Sequence, residues 1–193
     1  MLVIPPPHSQ HFLKPGQVFF SMSNGFISDG IARETAPQKY EAGHLVATHV
    51  GVVLENGYVA EAWLPEWRVV KLRERLGQRD TLVWLKEPAG QTKASAAELC
   101  RLARDLEGTP YDTGAILGFT LSDKDDVGQS PNFLENHKKY FCSEGVDVLL
   151  RATEHLRTVS LPQPWKIVHS SWRSPQGLNV SPIWETPNLP IPA

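Results

Sequence analysis

Apolar and polar positions alternate most clearly between residues 47 and 63, ATHVGVVLENGYVAEAW. The pattern predicts two strands, 49–54 and 58–63, joined by a turn at Asn56-Gly57. Upstream, KPGQVFFSMS (14–23) reads as a turn entering a short strand, and Phe26 to Arg33 as a short helix. Downstream, residues 67–72 and 80–87 (DTLVWLKE) are rich in β-formers and predict two more strands. The helical period is clearest over 92–107. There Leu99, Leu102, Ala103 and Leu106 fall at i, i+3, i+4 and i+7, before Gly108 and Pro110 stop the run. A polar, turn-rich connection (118–139) leads to a second helix that begins near Cys142 in CSEGVDVLLRATEHL, and WKIVHSS (165–171) predicts a last strand. Strands and helices mix without a regular βαβ alternation, so the expected class is α+β, a small antiparallel sheet packed against helices.

Composition narrows the function. The chain has 193 residues, 41% hydrophobic and 21% charged, which suits one domain spanning 1–193. Prolines 5–7 and SPIWETPNLPIPA (181–193) mark extended ends, expected to be strapped over the surface. A net charge of −2 with no Lys/Arg stripe argues against nucleic acid or an anionic membrane as partner. No apolar run approaches the ~20 residues of a membrane span, so no integral membrane segment is expected. MLVIPPPHSQ lacks the basic start, apolar run and cleavage site of a signal peptide. A cytoplasmic location is expected; oligomeric state is not encoded in any readable pattern.

Metal chemistry finds little support. Cys100 and Cys142 form no CxxC or Cys/His cluster, and a disulfide is not expected in an intracellular chain. His44 and His49, five apart, fit neither a helical pair nor one strand face. DKDDVG (123–128) starts like a calcium loop, yet Val127 and Leu134 occupy two ligand positions, so a solvated acidic loop is expected. No metal and no cofactor is expected.

Cys100 adjoins the apolar stripe of its helix and reads as a small core residue. Cys142 is different. It follows two aromatics and precedes an apolar helical pattern, with Gly145, Val146, Leu149 and Leu150 facing inward. The first turn of a helix offers unpaired N–H groups and the positive end of the macrodipole, which favour a thiolate. The same N–H groups can hold the oxyanion formed when a thiolate attacks a carbonyl. The plain alternative is a buried cysteine acting as a small hydrophobe.

Seven histidines could supply a base. His8, His11, His137 and His155 lie in terminal, loop or charged contexts, while His169, on the expected last strand, rivals His49. Gly51 favours His49, because it removes side-chain bulk on the same strand face where a partner element or substrate must approach. Glu61 could orient the ring, and the turn decides whether it does. A two-residue type I′ turn at Asn56-Gly57 would set Val52 opposite Glu61, leaving Glu61 and His49 on opposite faces. A three-residue loop, Glu55-Asn56-Gly57, with Gly57 left-handed, sets Leu54 opposite Tyr58, Gly51 opposite Glu61 and His49 opposite Trp63. His49 and Glu61 then share a face as diagonal neighbours. A carboxylate there fixes the imidazole tautomer.

HVGVVLENGYVAEA resembles the His-containing hairpin of the NlpC-type, papain-like cysteine peptidases, in which a His-x-Gly strand is followed twelve residues later by a polar residue before a small one; His49, Gly51, Glu61 and Ala62 match. GTPYDTGAILG (108–118) resembles that family's Tyr-x-x-Gly segment, and FCSEGVDVLL its cysteine helix. Here the histidine precedes the cysteine, the order of the circularly permuted branch, the YiiX/YaeF-type proteins and the lecithin:retinol acyltransferase-like enzymes. LKPGQVFF resembles the start of permuted members, with Gln17 where they carry Asp. Ser143-Glu144 stands where the family has Ser-Gly. The resemblance implies a papain-like fold in permuted order and a cysteine peptidase or amidase with Cys142, His49 and Glu61 as catalytic residues. Tyr111 and Gly51 would line the substrate site. The substrate would be a peptide or a lipid acyl group. A lipid acyltransferase or esterase, and a binding module with a degenerate site, are the alternatives.

Overall fold

The computed structural model describes residues 2–3, 13–23, 46–76, 80–121, 136, 138–153, 175, 178 and 183–184. Six strands form a single antiparallel sheet: β1 (Leu2–Val3), β2 (Val18–Ser23), β3 (His49–Val53), β4 (Tyr58–Trp63), β5 (Glu66–Lys71) and β6 (Asp80–Lys86). Their order is β1-β6-β2-β3-β4-β5. The helices that can be delimited among the described residues are α1 (Leu72–Leu76), α2 (Lys93–Asp105), α3 (Thr113–Leu121) and α4 (Cys142–Ala152). The class is α+β, as the sequence indicates. The expected helix at 26–33 and strand at 165–171 lie outside the described residues, as do the acidic loop and His8, His11, His44, His137, His155 and His169.

Strand alternation divides the core in two. Val18, Phe20, Val50, Val52, Ala60, Ala62 and Trp84 point to the face where α2 and α4 pack with Leu99, Ala103, Val146 and Leu150. Phe19, Val53, Val59, Val83 and Leu85 point to the other face, closed in part by Leu72 of α1. Trp67 ties the helical layer to β5. Its indole nitrogen donates to Ala103 O at 2.8 Å. Its ring lies so close to Gly145 that a Cβ there would sit 2.4 Å from it, so the absent side chain is what lets α4 approach.

Three local findings differ from the sequence reading. Residues 72–76 turn into the short helix α1 immediately after β5. Residues 113–121, part of which reads as a connection, form α3. The run TGAILGFTL is apolar on every side and shows no helical period; Asp112 starts the helix, its Oδ1 accepting from Ala115 N at 3.0 Å. The C-terminal stretch is more than a surface strap. Ile183 and Trp184 are buried, Ala89 N donates to Ile183 O at 2.8 Å, and Trp184 meets Phe20 edge-on with ring centroids 5.5 Å apart.

Candidate active site

The turn takes the three-residue form. β3 and β4 pair Val52 with Ala60 and Val53 with Val59, and Leu54 N donates to Tyr58 O at 2.8 Å. Glu55–Gly57 make one 3₁₀ turn, with Asn56 at φ 57° and Gly57 at φ 75°, both left-handed. Extended past Val52, this register sets Gly51 opposite Glu61 and His49 opposite Trp63. Among the described residues the regular ladder ends at Val52 and Ala60.

His49 and Glu61 meet directly. His49 Nε2 lies 2.8 Å from Glu61 Oε2, with His49 7% exposed and Glu61 fully buried. Cys142, first residue of α4 and 2% exposed, lies close enough to act on the charge of the same ring. With Nε2 held by the carboxylate, Nδ1 is the nitrogen left to face the sulfur. His49 and Glu61 belong to the face shared with Phe19, whereas Cys142 packs with the helical layer.

Glu61 has further partners that the sequence reading missed. Arg68 of β5, its cross-strand neighbour, donates to Oε1 through Nε at 3.0 Å and Nη2 at 2.6 Å. Arg75 of α1 donates to Oε2 through Nε at 2.7 Å, and its Nη2 reaches Ser21 Oγ at 3.4 Å. The guanidinium of Arg75 lies over Phe19 and Trp63, 5.4 and 5.1 Å from the ring centroids, and Arg68 lies 4.7 Å from that of Trp63. Trp63 in turn sits edge-on to His49 at 5.3 Å. The signal for Arg68 was present: the Leu64-Pro65 turn that follows β4 fixes the β4–β5 register. Nothing local marks Arg75.

These contacts set the charges. Burial by itself would raise the Glu61 carboxyl, but the hydrogen bond and charge of His49, followed by those of Arg75, hold it well below the usual 4.5. Burial by itself would depress the His49 imidazole. The charge and hydrogen bond of Cys142, then the hydrogen bond and charge of Glu61, outweigh that effect and raise it above 6.5. Tyr111 is half-buried, and its backbone N donates to Pro65 O at 2.8 Å. Burial, then the charge of Cys142 and that of Asp112, push its phenol well above 10, so it stays protonated close to the thiol.

Gly51 has a different task from the one expected of a substrate-lining residue. A Cβ there would lie 2.5 Å from the Phe19 ring and 2.6 Å from Ala60 O, so the vacant space belongs to the neighbouring strands and is closed to substrate.

No protein-family profile matches the chain, and no curated protein is similar to it. Among solved structures the chain is similar to the crystal structure of YiiX from Escherichia coli O157:H7, described as a metalloprotein, DUF1105. The TM-score is 0.57 at 16% identity, covering 89% of this chain and 94% of that one. Likeness at this identity speaks for architecture alone: over most of its length the chain has the fold of YiiX.

Proposed function

We propose that this protein is a cysteine-dependent hydrolase of amide bonds, papain-like in circularly permuted order, working through a thioester at Cys142. The observation that carries the reading is the 2.8 Å pair of His49 and Glu61, with Cys142 at a helix entrance near enough to act on the His49 ring. Nucleophile, base and orienting carboxylate are the three roles of a triad.

In this reaction His49 Nδ1 takes the thiol proton and the thiolate attacks the carbonyl carbon, forming a C–S bond. Negative charge passes to the carbonyl oxygen, which the backbone N–H of Cys142 would receive, since that residue opens α4. As the C–N bond breaks, the imidazolium returns its proton to the departing amine. Water, deprotonated by His49, then attacks the thioester; the acid leaves and the thiol is restored. Glu61 holds Nε2–H throughout. Tyr111, kept neutral, can donate a hydrogen bond at the edge of the site.

The described part of the site does not suit a metal, although YiiX is described as a metalloprotein. Both oxygens of Glu61 already accept from His49, Arg68 and Arg75, and two guanidiniums beside the carboxylate would repel a cation. Among the described residues no three His, Cys, Asp or Glu side chains group as ligands.

One observation favours a second reading, transfer or hydrolysis of lipid acyl groups. Leu64 and Leu117 are exposed at 56% and 57%, and they lie on the two segments that join through Pro65 and Tyr111. Mass spectrometry after exposure to peptide and lipid pools separates the readings. The expected result is a thioester on Cys142 carrying a peptide acyl group. A fatty acyl adduct supports the second reading. No adduct from either pool, with equal iodoacetamide labelling of wild type and His49→Ala, would overturn both.

A further inference from the structure

We propose that the outer edge of β5 is a docking site for an extended acidic peptide, which adds a short strand beside Val69 and Lys71 and sets a carboxylate in the cationic cavity at the end of that edge. The site uses none of the residues of the Cys142 centre and does not depend on the cysteine-hydrolase reading.

The register shows which backbone groups of β5 face outward. Leu54 N donates to Tyr58 O, so Tyr58, Ala60 and Ala62 turn their backbone groups to β3, and Val59, Glu61 and Trp63 turn theirs to β5. Carried across the β4–β5 pairs, Glu66, Arg68 and Val70 bond to β4, while Trp67, Val69 and Lys71 face away from it. Trp67 bears this out: its N donates to Thr109 O at 2.7 Å and its O accepts from Gly108 N at 2.9 Å. At Gly108 the covering segment turns off the edge with φ 83°, and a Cβ there would meet nothing within 4 Å. Among the described residues no backbone partner reaches the N–H and C=O of Val69 or the N–H of Lys71. β5 ends the strand order, so these groups form an open edge, a template for one more strand.

The cavity at the end of this edge selects the partner. Lys71 and Arg73 line a space of about 340 Å³ with Leu13, Pro15, Leu54 and Gly57, a volume within the range of ligand sites. Among the described lining residues two are cations and none is an acid. The Lys71 ammonium lies 5.8 Å from the centre of the Tyr58 ring. Among the described residues Arg73 approaches an acid only at 4.0 Å, from the exposed Glu74 beside it. Both cations are therefore open to an incoming carboxylate, which a guanidinium takes in a two-pronged contact. A strand advances about 3.3 Å per residue, so a peptide paired at Val69 and Lys71 reaches the cavity within about two residues. A second copy of the chain fits less well, because pairing two β5 edges would bring the like charges of Lys71 and Arg73 from each copy together.

The probe is a blocked peptide of about seven residues, valine and threonine alternating between glutamates, matched to a short strand. It is added to the full chain carrying Cys142→Ala, which keeps the peptide intact, and the amides are followed by NMR and hydrogen exchange. The Val69 and Lys71 amides should shift on titration and exchange at least about tenfold more slowly at saturation. Val69→Pro removes one outward N–H and none of the bonds to β4, a change that edge strands accept, and should weaken binding at least about tenfold. Lys71→Gln combined with Arg73→Gln should weaken it about tenfold, as should lysines in place of the peptide's glutamates. The urea midpoint of each variant checks that the fold is kept. Val69 and Lys71 amides that stay unmoved at millimolar peptide overturn the proposal. So does undiminished affinity in Val69→Pro, equal affinity for the glutamate and lysine peptides, or a shift at those amides that follows protein concentration without peptide, which would make a second copy the occupant.

Discussion

The surroundings of the two free cysteines invite comparison, because burial does not separate them. Cys100 is 1% exposed and Cys142 2%, and both pack in the same apolar cluster beneath the sheet. Cys100 sits in the middle of α2, where its thiol donates to Val53 O at 3.5 Å. Burial, followed by the charge of Glu55, pushes it up to about 12, so it remains a thiol at any ordinary pH. Cys142 opens α4 and lies near an imidazole of which one nitrogen is tied to a carboxylate. A buried cysteine is inert or reactive according to the charge and donors placed beside its sulfur, and the degree of cover decides neither.

The largest effect that would sharpen this contrast is on turnover. Cys142→Ala should lower amide hydrolysis by at least about 10³-fold, whereas Cys100→Ala should leave the rate within about twofold and cost about 1–2 kcal/mol of stability. Paired rate and urea-denaturation measurements check both arms. Equal losses of activity in the two variants would erase the distinction.

Next in size is chemical labelling. In native protein iodoacetamide should mark Cys142 and spare Cys100 until unfolding, and His49→Ala should slow labelling at pH 6.5 by about 10²-fold. Peptide mapping of the alkylated chain reads this out. If Cys142 reacted only above about pH 8 in wild type, the comparison would collapse, since both thiols would then behave as ordinary core residues.

The third test concerns the carboxylate behind the ring. Glu61→Gln leaves two arginines facing a neutral amide in a buried site, and should cost about 3–5 kcal/mol by urea denaturation. Removing Glu55 instead, whose 3.0 Å pair with Arg104 is exposed, should cost under about 1 kcal/mol.

The smallest effect is on pH-dependent stability. Glu61 titrates lower folded than unfolded, so its contribution is present above about pH 4.5 and is lost as pH falls. His49 titrates higher folded than unfolded, so its contribution is present below about pH 6.5 and is lost as pH rises through the folded value. The urea midpoint should therefore be highest between about pH 5 and 6.5, and His49→Ala should flatten the alkaline decline. A midpoint rising steadily from pH 6 to 9 in wild type would contradict the His49 assignment.

Much of the site could be read locally. The three-residue loop at Glu55-Asn56-Gly57 fixes which side chains of β3 and β4 share a face, and that alone puts His49 beside Glu61. The apolar spacing after Cys142 announces a helix, so the sulfur's place in a first turn was visible as well. Arg68 could have been found by carrying the register across one more hairpin. Arg75 could not, because in LRERL it looks like any solvated charge near the end of a strand. α3 escaped because a helix apolar on every side has no period to detect.

The chain's own order thus determined the strand faces, the helix entrance and the identities of thiol, imidazole and carboxylate, since turn length and side-chain alternation act over a few residues. Tertiary structure alone decided that Arg75 would be buried against Glu61, that Phe19 would fill the space above Gly51, and that Cys142 would come near His49. Those outcomes depend on where distant elements come to rest, and the energy of a buried charge is set by neighbours that periodicity does not name.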